Sequence, residues 1–164
     1  MAVDVVTETV IARPRLEVAA FASDPERVPL WHASIRSVEW KTEPPVQVGS
    51  RIAFVARFLG RSLIHTYEVV EVVPGERFVM RTAQGRFPME TTYTWRTADD
   101  GRTAMTLRNH GVPTGFSRLL APFKSLAMRR ANTKDLVLLK AILERRTARG
   151  QHGAGDRGDA GVTP

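Results

Sequence analysis

The chain contains no cysteine. Structural disulfides, thiolate nucleophiles and cysteine-ligated metals are therefore excluded. Aromatic residues are scarce: two tyrosines, three tryptophans and seven phenylalanines make up 7% of 164 residues. No stretch approaches the roughly 18 consecutive apolar residues of a membrane-spanning helix. Met1 to Glu8 has neither a basic start nor a continuous apolar block, so no secretory leader is expected and a cytoplasmic location follows. Catalytic signatures are missing too. There is no G-x-S-x-G, no H-E-x-x-H and no glycine-rich phosphate loop after a strand. Inward carboxylates are few, and no metal site of three or four convergent ligands is expected. No internal repeat is present, and nothing in the sequence calls for a cofactor.

What is present is ordinary for a globule: 43% hydrophobic and 25% charged residues, in a length that suits one domain. The net charge of +7 is distributed unevenly. Residues 1–117 hold 14 Lys/Arg against 13 Asp/Glu, whereas residues 118–149 hold nine Lys/Arg against only Asp135 and Glu144. Such a segment attracts nucleic acid or an anionic membrane, or is simply the solvated face of a surface helix. Without aromatic platforms or a known reading motif, nucleic acid is not the expected partner.

Periodicity divides the chain. Val3 to Ala12 is rich in Val, Thr and Ile, which suits a strand ended by Pro14. Leu16, Val18, Ala19 and Phe21 recur near helical spacing, and Asp24-Pro25-Glu26 reads as an N-cap opening a second short helix with Val28, Leu30 and Trp31. From residue 36 the period is two. Strands are expected over Arg36–Lys41, Arg51–Leu59, Ser62–Val73, Phe78–Ala83, from Phe87 to about Trp95, and around Met105–Asn109. Gly60-Arg61, Pro74-Gly75-Glu76, Gln84-Gly85-Arg86 and Asp99-Asp100-Gly101 supply the turns. Loops this short require antiparallel neighbours, and the first strand closes one edge.

From about Thr114 to Arg146, Phe116, Leu120, Phe123, Ala127, Ala131, Leu138 and Ile142 give an amphipathic helical stripe, with a kink or restart expected at Pro122. Roughly 24 residues at ~1.5 Å rise span ~36 Å, enough to cross a seven-stranded sheet. The expected domain covers 1–147. Residues 148–164, with five glycines and one larger aliphatic residue, read as a disordered tail.

The residues Ser23-Asp24-Pro25-Glu26-Arg27, Pro29-Leu30-Trp31-His32, Val48-Gly49-Ser50-Arg51, Glu68-Val69-Val70-Glu71, Pro74-Gly75-Glu76-Arg77-Phe78, Thr92-Tyr93-Thr94-Trp95, Asp100-Gly101-Arg102-Thr103 and Lys134-Asp135-Leu136 through Leu139-Lys140 follow one another in an order that resembles the SRPBCC or START-like superfamily. That superfamily includes lipid-transfer domains, pollen-allergen-like proteins and polyketide cyclase/dehydrase proteins. The resemblance spans residues 3–146. It implies an α+β helix-grip fold, a seven-stranded curved antiparallel sheet wrapped around a long C-terminal helix, with a cavity between them. It does not choose among the functions that such a fold carries.

Residues assigned to the inward faces are then candidate ligand contacts: Phe54, Ala56, Phe58, His65, Tyr67, Met80, Met89, Thr91, Tyr93 and Asn109 on strands. Phe116, Leu120, Phe123 and Ala127 would form the helix wall. The resemblance places Trp31 and His32 beside the cavity mouth. A polar group facing a dry core costs ~1–3 kcal/mol without a partner. His65, Tyr67 and Asn109 either orient a ligand's carbonyl or hydroxyl or satisfy one another at the wet end of the sheet. Trp31 doubles as a packing anchor.

A non-enzymatic binder of a hydrophobic or amphipathic molecule of lipid, polyketide or isoprenoid type comes first, as a monomer or homodimer. The alternatives are a polyketide cyclase/dehydrase-type enzyme with His65, Tyr67 or His32 as acid/base, and a regulatory module using the basic helix surface.

Overall fold

The computed structural model describes residues 3–58, 60–83, 88–112 and 121–152. Strand β1 (Val3–Ile11) is followed by helix α1 (Arg15–Ala22), a 3-10 turn (Pro25–Arg27) and the short helix α2 (Val28–Trp31). Six strands then run consecutively: β2 (Ile35–Trp40), β3 (Arg51–Phe58), β4 (Arg61–Val73), β5 (Arg77–Thr82), β6 (Met89–Thr97) and β7 (Thr103–Gly111). Helix α3 (Ala121–His152) is the last described element. The sheet order is β1-β7-β6-β5-β4-β3-β2, every pair antiparallel. The architecture is the α+β helix grip that the sequence pattern points to.

Local chemistry explains the corner after β1. The Asp24 side chain accepts from the Glu26 N–H at 3.1 Å, and Pro25 occupies the first helical position. Register shifts in β2 between Ile35 and Ser37 and in β4 between Val69 and Glu71 are bulges. Bulges bend and twist a sheet locally, which makes this one concave toward α3. The core between them includes Trp31, Ile52, Val69, Phe78, Tyr93 and Trp95, with Leu136, Leu139 and Leu143 from α3.

Pro122 is the second residue of α3, where its missing N–H removes no helical hydrogen bond. The described helix runs from Ala121 to His152, past the expected domain limit of 147, and the turn expected from Thr114 to Leu120 lies outside the described residues. Its buried face corrects the expected stripe. Asn132, Asp135, Leu136, Leu139 and Leu143 are buried, whereas Phe123, Ala127, Ala131 and Leu138 are exposed. The run Leu136-Val137-Leu138-Leu139 is apolar on every side, so it carries no phase of its own. Packing chose a face that includes two polar residues.

The β4–β5 turn needs glycine. Gly75 has φ +74°, and a Cβ there would stand 2.5 Å from Leu16 Cδ2. Leu16 is exposed and can swing outward, so backbone conformation sets the cost. Gly75→Ala should lower stability by about 1–2 kcal/mol. A urea midpoint that did not move would contradict this assignment.

Candidate functional site

Between the sheet and the segment from α2 to the start of β2 lies a cavity of about 230 Å³. Alternation along the strands aims its walls. Phe54 and Ala56 come from β3, His65 and Tyr67 from β4, Met80 from β5, Thr91 and Tyr93 from β6, and Asn109 from β7. Val28, His32, Ser34 and Ile35 close one side, with Leu107 in the floor. A second hollow of about 530 Å³ shares His32 and Asn109 and continues along Met89, Ala127, Met128, Ala131 and Asn132.

The polar groups form a row rather than a scatter. Register places Thr91 opposite Asn109. Asn109 Nδ2 donates to Thr91 Oγ1 at 3.1 Å, and Asn132 Nδ2 donates to Asn109 Oδ1 at 2.9 Å. The Tyr67 phenol lies on the same wall of the cavity as Thr91 and feels its side chain. The row therefore crosses from β6 through β7 to α3 along the boundary that the two hollows share. Burial raises the pKa of Tyr67, with the Thr91 side chain opposing. Burial also raises that of Tyr93, reinforced by Tyr67 and Asp135. Both phenols stay protonated, and a protonated phenol can donate as well as accept.

A second constellation joins α2 to α3. His32 is the C-cap of α2, where the chain turns extended and its N–H reaches Val28 O at 2.8 Å. This aims the ring at Asp135, whose side chain is 3% exposed, with His32 Nδ1 at 3.1 Å from Asp135 Oδ2. Asp135 Oδ1 accepts from the Ala33 N–H at 3.0 Å, and Ser34 Oγ lies 3.2 Å from His32 Nδ1. An ionised carboxylate only accepts, so the pairing assigns the hydrogen to Nδ1 and the lone pair to Nε2. Burial lowers the His32 pKa, and the Asp135 charge pulls the other way. A neutral imidazole held by a buried carboxylate is an arrangement suited to accepting a proton or a hydroxyl hydrogen bond.

The cavity brings together Phe54, Ala56, His65, Tyr67, Met80, Thr91, Tyr93, Asn109 and His32. Met89 and Ala127 line the outer hollow. Trp31 is wholly buried, its ring edge-on to Tyr93 at 5.9 Å between centroids. It packs behind the cavity and is absent from the described wall. Phe123 is 74% exposed and lines neither hollow. Phe116 and Leu120, and the side chain of Phe58, fall outside the described residues. Sequence reasoning missed Ser34, Asn132 and Asp135. The usable signal was the spacing of Asn132, Asp135, Leu136, Leu139 and Leu143, a helical face with two polar members. Among the described residues, no group of three or more His, Asp or Glu is placed to hold a metal. No helix there is long and apolar enough to cross a membrane.

A curved antiparallel sheet packed on one long helix, with a polar row beside a cleft of mixed polar and apolar walls, defines a class of pocket-forming domains. Residues 2–144 match the family described as polyketide cyclase / dehydrase and lipid transport, and the chain belongs to that family. Solved structures share the fold. A protein from Thermus thermophilus superposes with TM-score 0.73 at 20% identity, over 87% of this chain and 98% of its own. The Zhui aromatase/cyclase from a Streptomyces species gives 0.72 at 18%, over 99% and 100%. A START superfamily protein from Mycobacterium smegmatis gives 0.71 at 14%, over 87% and 97%. No curated protein matches the sequence.

Proposed function

We propose that the chain binds an amphipathic small molecule, apolar over most of its length and carrying a carbonyl or hydroxyl group, of lipid, polyketide or isoprenoid type. The observation that carries this is the hydrogen-bonded row Thr91–Asn109–Asn132, with Tyr67 beside it, bordering a cleft that also presents Val28, Ile35, Phe54, Met80 and Leu107. Apolar walls supply affinity and a few convergent polar groups fix orientation. The inner cavity, at about 230 Å³, is smaller than the ~300–1,000 Å³ of typical ligand sites. A guest longer than a few rings would extend past Asn109 into the outer hollow.

Native mass spectrometry of the chain isolated from its own source is expected to show a retained molecule of that composition. Ala56→Phe puts a ring into the inner cavity from β3. It should weaken uptake of an anilinonaphthalene dye by about tenfold or more, ~1.4 kcal/mol, while the far-ultraviolet spectrum stays unchanged. Uptake indifferent to Ala56→Phe would rule out this cavity as the site.

An enzymatic reading is favoured by one observation, the 3.1 Å pairing of His32 Nδ1 with Asp135. In a cyclase/dehydrase-type reaction, Nε2 of His32 would take a proton from substrate held against Tyr67. Much of the rate would come from holding a reactive chain in one bent shape. Turnover of a candidate substrate that survived both His32→Ala and Tyr67→Phe would remove this role.

A further inference from the structure

The basic segment is not absorbed by the cleft. Helix α3 carries eight Lys/Arg against Asp135 and Glu144. Asp135 faces inward to His32. Arg129 donates to Val6 O at 3.1 Å and Lys140 to Val10 O at 2.8 Å, so these two cations clasp α3 to β1. Arg130 and Lys134 are exposed on the opposite side and have no ion-pair partner among the described residues.

That outer side also bears large apolar groups. Phe123, Leu126 and Val137 are 74%, 50% and 61% exposed. Phe123, Leu126, Arg130, Lys134 and Val137 follow one another at spacings of three and four, so they share one helix face. It lies opposite the buried Asn132, Asp135, Leu136, Leu139 and Leu143. The exposed phenylalanine and leucine stand within about a turn of two cations that have no ion-pair partner among the described residues.

We propose that this face of α3 docks on an anionic lipid bilayer, with Phe123 and Leu126 entering the acyl boundary and Arg130 and Lys134 meeting the headgroup phosphates. Both halves of the pattern are used there: apolar side chains partition into the interface, and nearby cations are attracted to its charge. A second copy of the chain fits poorly, because Arg130 and Lys134 would meet their own counterparts. Nucleic acid would use the cations but gives Leu126 and Val137 nothing to contact. Lys124, Ala127, Met128 and Ala131, on the flank of the same helix, line the outer hollow. Docking thus sets that hollow alongside the bilayer. The proposal rests on the outer face alone and stands or falls separately from the ligand cavity.

Co-sedimentation of the full chain with phosphatidylcholine vesicles, with and without phosphatidylglycerol, tests it. Binding is expected only to vesicles containing phosphatidylglycerol, and should weaken with salt. Phe123→Ser with Leu126→Ser, and separately Arg130→Glu with Lys134→Glu, should each reduce partitioning by about tenfold or more. All four side chains project into water, so helicity and dye uptake should be unchanged. Ala56→Phe should leave vesicle binding intact. Equal binding to uncharged vesicles overturns the proposal, as does indifference to either double substitution. Salt-sensitive binding to duplex DNA that survives loss of Phe123 and Leu126, without vesicle binding, also overturns it and identifies a polyanion site instead.

Discussion

Truncating Leu139 to alanine is expected to lower the unfolding free energy by about 2–5 kcal/mol. Leu139 is fully buried between Leu136 and Leu143, where α3 meets the sheet. The substitution removes apolar contact and leaves a cavity that a strand-backed floor cannot collapse to fill. Set against the roughly 5–15 kcal/mol that holds a typical domain together, this is a large loss. Val137, two positions earlier, points to solvent, and Val137→Ala should stay within about 0.5 kcal/mol. Urea titrations of the two variants read the phase of α3 directly: the midpoint should fall far for one and barely for the other, at an unchanged slope. Comparable losses would mean that α3 presents a different face to the sheet.

Asp135→Ala is the second large effect, a loss of about 2–3 kcal/mol. The carboxylate satisfies the Ala33 N–H and orients the His32 ring from a nearly buried position. Removing it strands a backbone donor and a half-buried imidazole. Asp135→Asn keeps one acceptor and should cost less.

The pair also sets a pH dependence. The folded His32 pKa lies below its unfolded value of ~6.5, mainly through burial. The folded state therefore binds fewer protons than the unfolded one. Its stability from this group is full above about pH 6.5 and is lost as pH falls toward the lowered folded pKa. Asp135 opposes the burial effect, so Asp135→Asn should depress the His32 pKa further and steepen the loss below pH 6.5. His32→Gln should abolish this component. Urea midpoints between neutral and mildly acidic pH measure it, and an Asp135→Asn deficit that shrank on acidification would reverse the assigned sign.

Much of the fold was legible because its devices are local. Alternation in Arg51–Phe58 and Met89–Thr97, and turns at Gly60, Gly75 and Gly101, place strands to within a residue or two. Asp24-Pro25 announces its helix by its own capping chemistry. The concave faces of β3, β6 and β7 were legible too, since a period of two admits only two answers and Phe54, Tyr93 and Leu107 decide which one, whereas Leu63 and His65, expected inward on β4, are exposed. The long helix was harder. With Leu, Val and Ala on several sides of α3, apolar spacing left its rotation open, and Phe123 was placed on the wrong side. Asp135 was hidden for the same reason, because a lone acid among cations reads as surface until something is seen to pack on it.

By itself the chain determined its elements, their order, the antiparallel pairing that short turns force, and the absence of thiol chemistry. These follow from backbone preferences and spacing, which act over a few residues. Tertiary structure alone decided the rotation of α3, the meeting of Asp135 with His32 and with Ala33, the latter 102 positions away along the chain, and the row from Thr91 to Asn132. Those contacts are long-range. They were selected by the packing of a whole concave surface against one helix, and no local rule encodes that sum.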